Sequence, residues 1–200
     1  ASLASTSHGK LREPMLRFIQ WARTFSVTSA AGSWKIFDLS NPGTQLGQSP
    51  LRAPSVFNFF RPGYVPPGTA MAAADATAPE FQIVNESSVG GYLNFMQGAI
   101  ERGIQCPNPS VPEAAWNNPA YDVRANYAYE LSLALDAGRL VDHLSLVLTA
   151  GQISPATRAV MVNALEATPL NASSDATARN RRVWAAILMV MGCPEYLIQK

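Results

Sequence analysis

The stretch DAGRLVDHLSLVLTAG, Asp136 to Gly151, decides the fold class. Leu140, Leu144, Val147 and Leu148 recur at three- and four-residue spacing, which puts them on one face of an amphipathic helix, and Gly151 supplies its stop. The pattern continues on both sides. Ser154-Pro155 opens a second helix with a cap residue followed by proline at the first helical position. That helix carries Ala159, Val160, Val162 and Leu165 and is expected to end before Pro169. A last helix is predicted from about Asp175 to Gly192, with Val183 to Met191 buried. Arg179, Arg181 and Arg182 stand early in it, against the helix dipole, so they are expected to pair with acidic neighbours. Tyr127 to Leu135 also reads as helix, and residues 127–200 form the helical part of the chain.

Towards the N-terminus, residues 1–9 read as a loose end and 10–26 as a helix. Leu11, Met15, Phe18, Ile19, Ala22 and Phe25 form its stripe, Pro14 lies in its first turn, and Arg12, Arg17 and Arg23 fall on solvated flanks. Another helix is predicted over 85–104. Asn85 is its N-cap, Glu86 complements its dipole, Val89, Tyr92, Leu93, Met96 and Ile100 make its stripe, and Gly103 ends it. Gly90 and Gly91 each lower helix propensity by about 1 kcal/mol, which calls for close approach of the aromatic loop or of a ligand.

Residues 27–84 show no helical period. Gly and Pro punctuate them, yet Trp34, Phe37, Val56, Phe57, Phe59, Phe60 and Tyr64 supply too much apolar surface for a disordered linker. The segment from about 30 to 80 is therefore expected to be ordered and pinned to the helices by its aromatics, with Gly68 to Ala78 as a mobile tip. Residues 105–126 read as a second, Pro- and Asn-rich loop. The fold class is mainly α: an irregular helical domain spanning 1–200, with a long aromatic and Pro-rich ordered loop region packed on helices.

Composition narrows the partners. Of 200 residues, 48% are hydrophobic and 14% charged, with fifteen Lys and Arg scattered against fourteen Asp and Glu. A phosphate backbone needs clustered positive charge, so nucleic acid is not an expected partner. The apolar run Val183 to Cys193 falls well short of the roughly 20 residues that cross a bilayer, so no membrane span is expected. Residues 1–9 carry no signal-peptide pattern, and the chain does not begin with Met, so its start says nothing about location. Cys106 and Cys193 are not spaced as metal ligands; they form either one disulfide or two independent thiols.

The segments GKLREPMLRFIQWARTF (9–25), APSVFNFFRPGYVPP (53–67), APEFQIVNESSVGGYLNFM (78–96) and RVWAAILMVMGCPEYLIQK (182–200) occur in order and touch both ends of the chain. Together they resemble the C-terminal part of the bacterial domain-of-unknown-function 1800 family. PSVFNFFRPGY and APEFQI are long, unusual strings. The resemblance implies a fragment of a larger, exported protein, periplasmic, envelope-bound or extracellular, whose N-terminal part is the first expected partner. It carries over no reaction and no catalytic residues. Cys193 stands where the family more usually has Ser, a departure that favours a bridge to Cys106.

The residues themselves offer weak chemistry. A serine hydrolase needs a nucleophile, a His and an orienting acid, and no Gly-x-Ser-x-Gly elbow is present. His8 lies in the loose end. His143 cannot be oriented by its neighbour Asp142, because adjacent helical side chains point about 100° apart, and it reads first as structural. Asp38, Asn41, Asp75 and Glu80 would bind calcium only if the fold gathered them, so no metal and no cofactor is assigned. Glu80 and Glu86 are the best carboxylate pair for glycosidase chemistry, with Phe81, Tyr64 or Trp34 to stack on a sugar. Helix capping already explains Glu86, and Arg61 is expected to pair with Glu80 or Glu86.

Three functions stay open: a structural or partner-binding helical module; a hydrolase of esters or polysaccharides, with Ser55, Glu80, Glu86 and His143 as catalytic candidates; or half of a site completed by the N-terminal part. Asn58, Arg61, Tyr64, Gln82 and Asn85 are the ligand-binding candidates, for a carbohydrate or an ester. The direction in which Asn58, Arg61, Glu80, Gln82, Asn85 and Glu86 point separates these readings.

Overall fold

The computed structural model describes residues 9–30, 32, 34, 36–105 and 121–199. In chain order they form β1 (Lys10–Leu11), α1 (Pro14–Thr24), β2 (Thr28–Ser29), α2 (Ala70–Ala73), a 3-10 turn (Pro79–Ile83) and α3 (Glu86–Arg102). There follow β3 (Ile104–Gln105), β4 (Tyr121–Arg124), α4 (Ala128–Ser132), α5 (Ala137–Thr149), α6 (Pro155–Glu166), α7 (Ala176–Gly192), α8 (Pro194–Leu197) and β5 (Ile198–Gln199). The fold is mainly α, with only short strands. The contacts gather into two compact units, one of residues 1–17, 38–95 and 197–200, the other of 18–37 and 96–196.

The second unit is a helical core. Asp136, Ser154 and Asp175 cap α5, α6 and α7, each side chain accepting from an amide three residues on, which removes one of the unpaired donors at each helix start. Leu140, Val141, Leu144 and Leu148 of α5, with Val183, Ile187, Val190 and Met191 of α7, are fully buried, and α5 packs on both α6 and α7. Arg182 does not pair with an acidic neighbour as its position suggested. It is buried and donates to the carbonyls of Ala134 (3.2 Å), Leu165 (3.0 Å) and Thr168 (2.5 Å). These oxygens lie just beyond α4 and at the end of α6, where backbone acceptors lack intrahelical donors. Arg179 likewise turns to the Ser174 and Ala172 carbonyls.

From α1 this unit takes Phe18, Trp21 and Phe25, all buried. Trp21 was not assigned to the apolar face; Ile19 was, and it is 41% exposed. Positions 14, 18, 21 and 25 share one side of a 3.6-residue helix, and Ile19 falls beside it. The Trp21 indole donates to the Tyr127 hydroxyl at 2.9 Å, and Tyr127 meets Phe25 edge-on at 5.1 Å. β2, β4 and β3 make a three-stranded antiparallel sheet with β4 central, Ser29 opposite Val123 and Ile104 opposite Val123. β4 lies inside the stretch expected to be loop. Gly103, at φ +87°, lets the chain leave α3 beside Val123; a Cβ there would overlap the Val123 carbonyl oxygen.

In the first unit the chain at Leu11 is not yet helical. β1 pairs antiparallel with β5, Lys10 opposite Gln199 and Leu11 opposite Ile198, and α1 starts at Pro14. The region expected to be pinned by aromatics is ordered differently. Phe57 is exposed, and Phe59, Phe60 and Tyr64 are only half-buried, while Leu39, Leu46 and Gln48 go inside. Trp34 and Phe37, which belong to the second unit, are exposed as well. The segment expected to be a mobile tip holds α2, whose cap Thr69 accepts from the Ala72 amide and donates to the Pro66 carbonyl at 2.7 Å. Gly91 explains the glycine pair of α3: a Cβ there would overlap the Pro42 carbonyl oxygen, whereas Gly90 faces open space.

Candidate functional site

The polar candidates of the first unit lie on the loop before α2, on the 3-10 turn and at the start of α3, and most of them are bonded within the unit. Glu13, at the entrance to α1, accepts from the Gln48 amide at 2.7 Å and from the Asn58 amide at 3.1 Å. Gln48 is buried, and its carbonyl oxygen accepts from the Met15 amide at 3.3 Å, which satisfies a donor in the first turn of α1. Asn58 holds a left-handed backbone, φ 68°, that Asn tolerates better than most residues. Glu13 and Gln48 were not among the sequence candidates. Glu13 sits in the GKLREP string, but nothing local marks a Glu before a Pro as the acceptor for an Asn 45 positions away.

Glu80 is buried, and its carboxylate meets the Lys10 ammonium at 2.8 Å. The hydrogen bond and the charge of Glu80 raise the Lys10 ammonium above its ordinary value. This corrects the expected Arg61 pairing: Arg61 is exposed, and what ties it down is its backbone amide, which donates to the Gln82 side chain at 2.7 Å. The reason is topological. Lys10 lies on β1, which packs near the 3-10 turn that carries Glu80. Glu86 is exposed at the start of α3. Asn85 accepts from the Ser88 amide at 2.9 Å and so caps that helix. The Ser55 hydroxyl accepts from the Phe57 amide at 3.1 Å, inside its own loop. Tyr64 is half-buried, with its carbonyl held by the Ala78 amide at 2.8 Å.

Asp38 accepts from both the amide and the hydroxyl of Ser40, and Asn41 accepts from the Gly43 amide. Among the described residues no three His, Cys, Asp or Glu side chains gather as metal ligands. In the second unit His143 does have an acidic partner, the buried Glu130 of α4, at 2.8 Å from Nε2, and Tyr129 stands edge-on to the imidazole at 4.7 Å. Asp142 points elsewhere, in a two-bond pair with Arg158 that holds its carboxyl below its ordinary value. Glu130 is thirteen residues from His143 across an inter-helix connection, so no motif within one helix announces the pair. Cys193 is buried, and burial pushes its thiol up to about 11, unsuited to a nucleophile. Cys106, its expected disulfide partner, and His8 lie outside the described residues.

The first unit also presents large apolar side chains outward. Leu51 is fully exposed, Val56 is 95% exposed and Phe57 57%. Among the described residues no helix is long and apolar enough to cross a membrane. Comparison with curated proteins and with solved structures finds no match. The profile described as "Protein of unknown function (DUF1800)" matches residues 1–198, and the chain belongs to that family.

Proposed function

We propose that this chain is a non-catalytic, helical binding module of an exported bacterial protein, and that the loop of residues 51–57 is its contact surface with the N-terminal remainder of the same polypeptide. The observation that carries this reading is the display of Leu51, Val56 and Phe57 on a fastened loop. Ser55 and Asn58 hold the turn between themselves, and Asn58 is bonded to Glu13. A loop fastened by polar bonds yet tipped with large apolar side chains is arranged for burial against another surface. Exposed Arg61 flanks it, as does Arg52, which pairs with Asp38 at 3.6 Å, so the counterpart is an apolar hollow whose rim accommodates the Arg61 cation. The resemblance supports the choice of partner, since it implies a longer parent protein and an exported one.

The hydrolase reading is less well supported, because Glu80 is held by Lys10 and Ser55 by its own loop. A photo-crosslinking residue in place of Val56 in the parent protein, followed by peptide mapping, tests the proposal. Crosslinks to residues of the same polypeptide N-terminal to this chain are expected, and Leu51→Ser with Phe57→Ser should abolish them. Crosslinks only to a second copy, or none in the folded protein, would overturn it.

A further inference from the structure

A pocket of about 500 Å³ opens within the second unit, of a size that takes a single-ring ligand. Tyr121 and Trp184 give it flat aromatic surface, and Arg102, Arg124, Asn126 and Asn180 give it polar groups. None of these residues belongs to the apolar loop or to the polar network of the first unit. The Arg102 guanidinium lies over the Tyr121 ring, 5.6 Å from its centre, and Arg124 Nε donates to the Tyr121 carbonyl at 2.9 Å. Both guanidinium groups are thereby positioned at an exposed rim, and among the described residues no other side chain takes their remaining N–H groups. Among the described residues Glu101 is the one acidic residue that lines the pocket, so two positive charges face one negative there. Asn126 spends its oxygen on the Ala128 amide and Asn180 an N–H on the Ala176 carbonyl, which leaves the Asn126 amide nitrogen as a donor and the Asn180 oxygen as an acceptor for a ligand.

We propose that this pocket binds a small ring-bearing carboxylate. The guanidinium fork matches a carboxylate in two parallel hydrogen bonds. Tyr121 and Trp184 match a flat apolar face, whether that of an arene or the C–H face of a pyranose. The shared chemistry is therefore a carboxylate beside a flat ring, and glucuronate and benzoate are the probes that separate the two sources.

Isothermal titration of the folded chain with each acid, and with glucose and benzyl alcohol as neutral counterparts, tests the proposal. The Trp184 indole resonance, assigned by its loss in Trp184→Phe, reports where binding occurs. Saturable binding of at least one acid is expected, with a shift of that resonance and weakening by about tenfold in Arg102→Gln or Arg124→Gln. Glucuronate alone would identify a uronic acid, benzoate alone an aromatic acid. The proposal fails if neither acid moves the Trp184 resonance, if the neutral compounds bind as well, or if both arginine variants bind like the parent. Arg102 and Arg124 are exposed, so circular dichroism should find both variants folded.

Discussion

In the unit that contains α5, α6 and α7, shape follows from apolar faces that meet, and the caps Asp136, Ser154 and Asp175 only set where each helix begins. In the unit that contains residues 38–95, long stretches carry no regular element, and pairs far apart in sequence fix the path: Lys10 with Glu80, Glu13 with Gln48 and Asn58, Arg61 with Gln82. One unit is held by a periodic surface that many apolar residues share. The other is held by individual polar bonds, each of which has one address. The first kind of order tolerates substitution within the pattern, and the second does not.

Arg182 is the hardest test of that contrast, because it is a buried charge inside the unit held mainly by apolar faces. Arg182→Leu would leave the Ala134, Leu165 and Thr168 carbonyls without their donor and is expected to destabilise the chain by about 3 kcal/mol. Urea unfolding at neutral pH measures this. Arg182→Lys should recover only part of the loss, since an ammonium cannot span three oxygens with a planar fork. A loss below about 1 kcal/mol would mean that apolar packing alone holds the helix ends.

The glycine pair of α3 sharpens the comparison from the other unit. Gly91→Ala drives a methyl group into the Pro42 carbonyl and the Gly43 backbone and should cost about 2 kcal/mol. Gly90→Ala, one residue away, meets nothing and should stabilise by up to about 1 kcal/mol through helix propensity. Equal effects at the two positions, in the same urea titration, would show that the irregular segment does not press on α3 as described.

The same contrast explains what was legible in the sequence. The caps and stripes of α5, α6 and α7 are local signals, and they located the starts of those helices to within a residue, while the end of α6, expected only before Pro169, falls at Glu166. Trp21 was missed because Ile19 competes for the same stripe, and only the Tyr127 hydroxyl, supplied from 106 residues away, shows which face turns inward. In the irregular region the aromatics looked like the pins, yet Gln48 and Leu46 are buried and Phe57 is not. Hydropathy ranks Phe above Gln, but a buried Gln whose amide and carbonyl are both bonded loses little by leaving water. The polar network was half legible: Asn58 and Glu80 stood out as polar residues in apolar strings, while Glu13 and Lys10 resembled ordinary surface charges beside a helix start. Partners set by tertiary approach leave no spacing to read.

The smallest effect expected is at Glu195, a polar contact within the helical unit that resembles those of the other one. Its carboxylate accepts from the Ser154 amide at 3.2 Å and the Thr157 hydroxyl at 2.7 Å, beside the first turn of α6. Partial burial pushes its pKa up, but those hydrogen bonds outweigh the burial and hold it at about 2, below the ordinary 4.5. A depressed folded-state value means that the unfolded chain takes up the proton first as pH falls. The contribution is therefore complete above about pH 4.5 and drains away towards pH 2. Glu195 is half-buried, so solvent screening reduces its worth to about 1 kcal/mol. Glu195→Gln should lower the urea midpoint at pH 7 and leave it nearly unchanged at pH 2, so the two curves converge on acidification. Parallel curves would mean that the carboxylate charge adds nothing at this helix start, and that polar contacts carry stability only where the apolar pattern is missing.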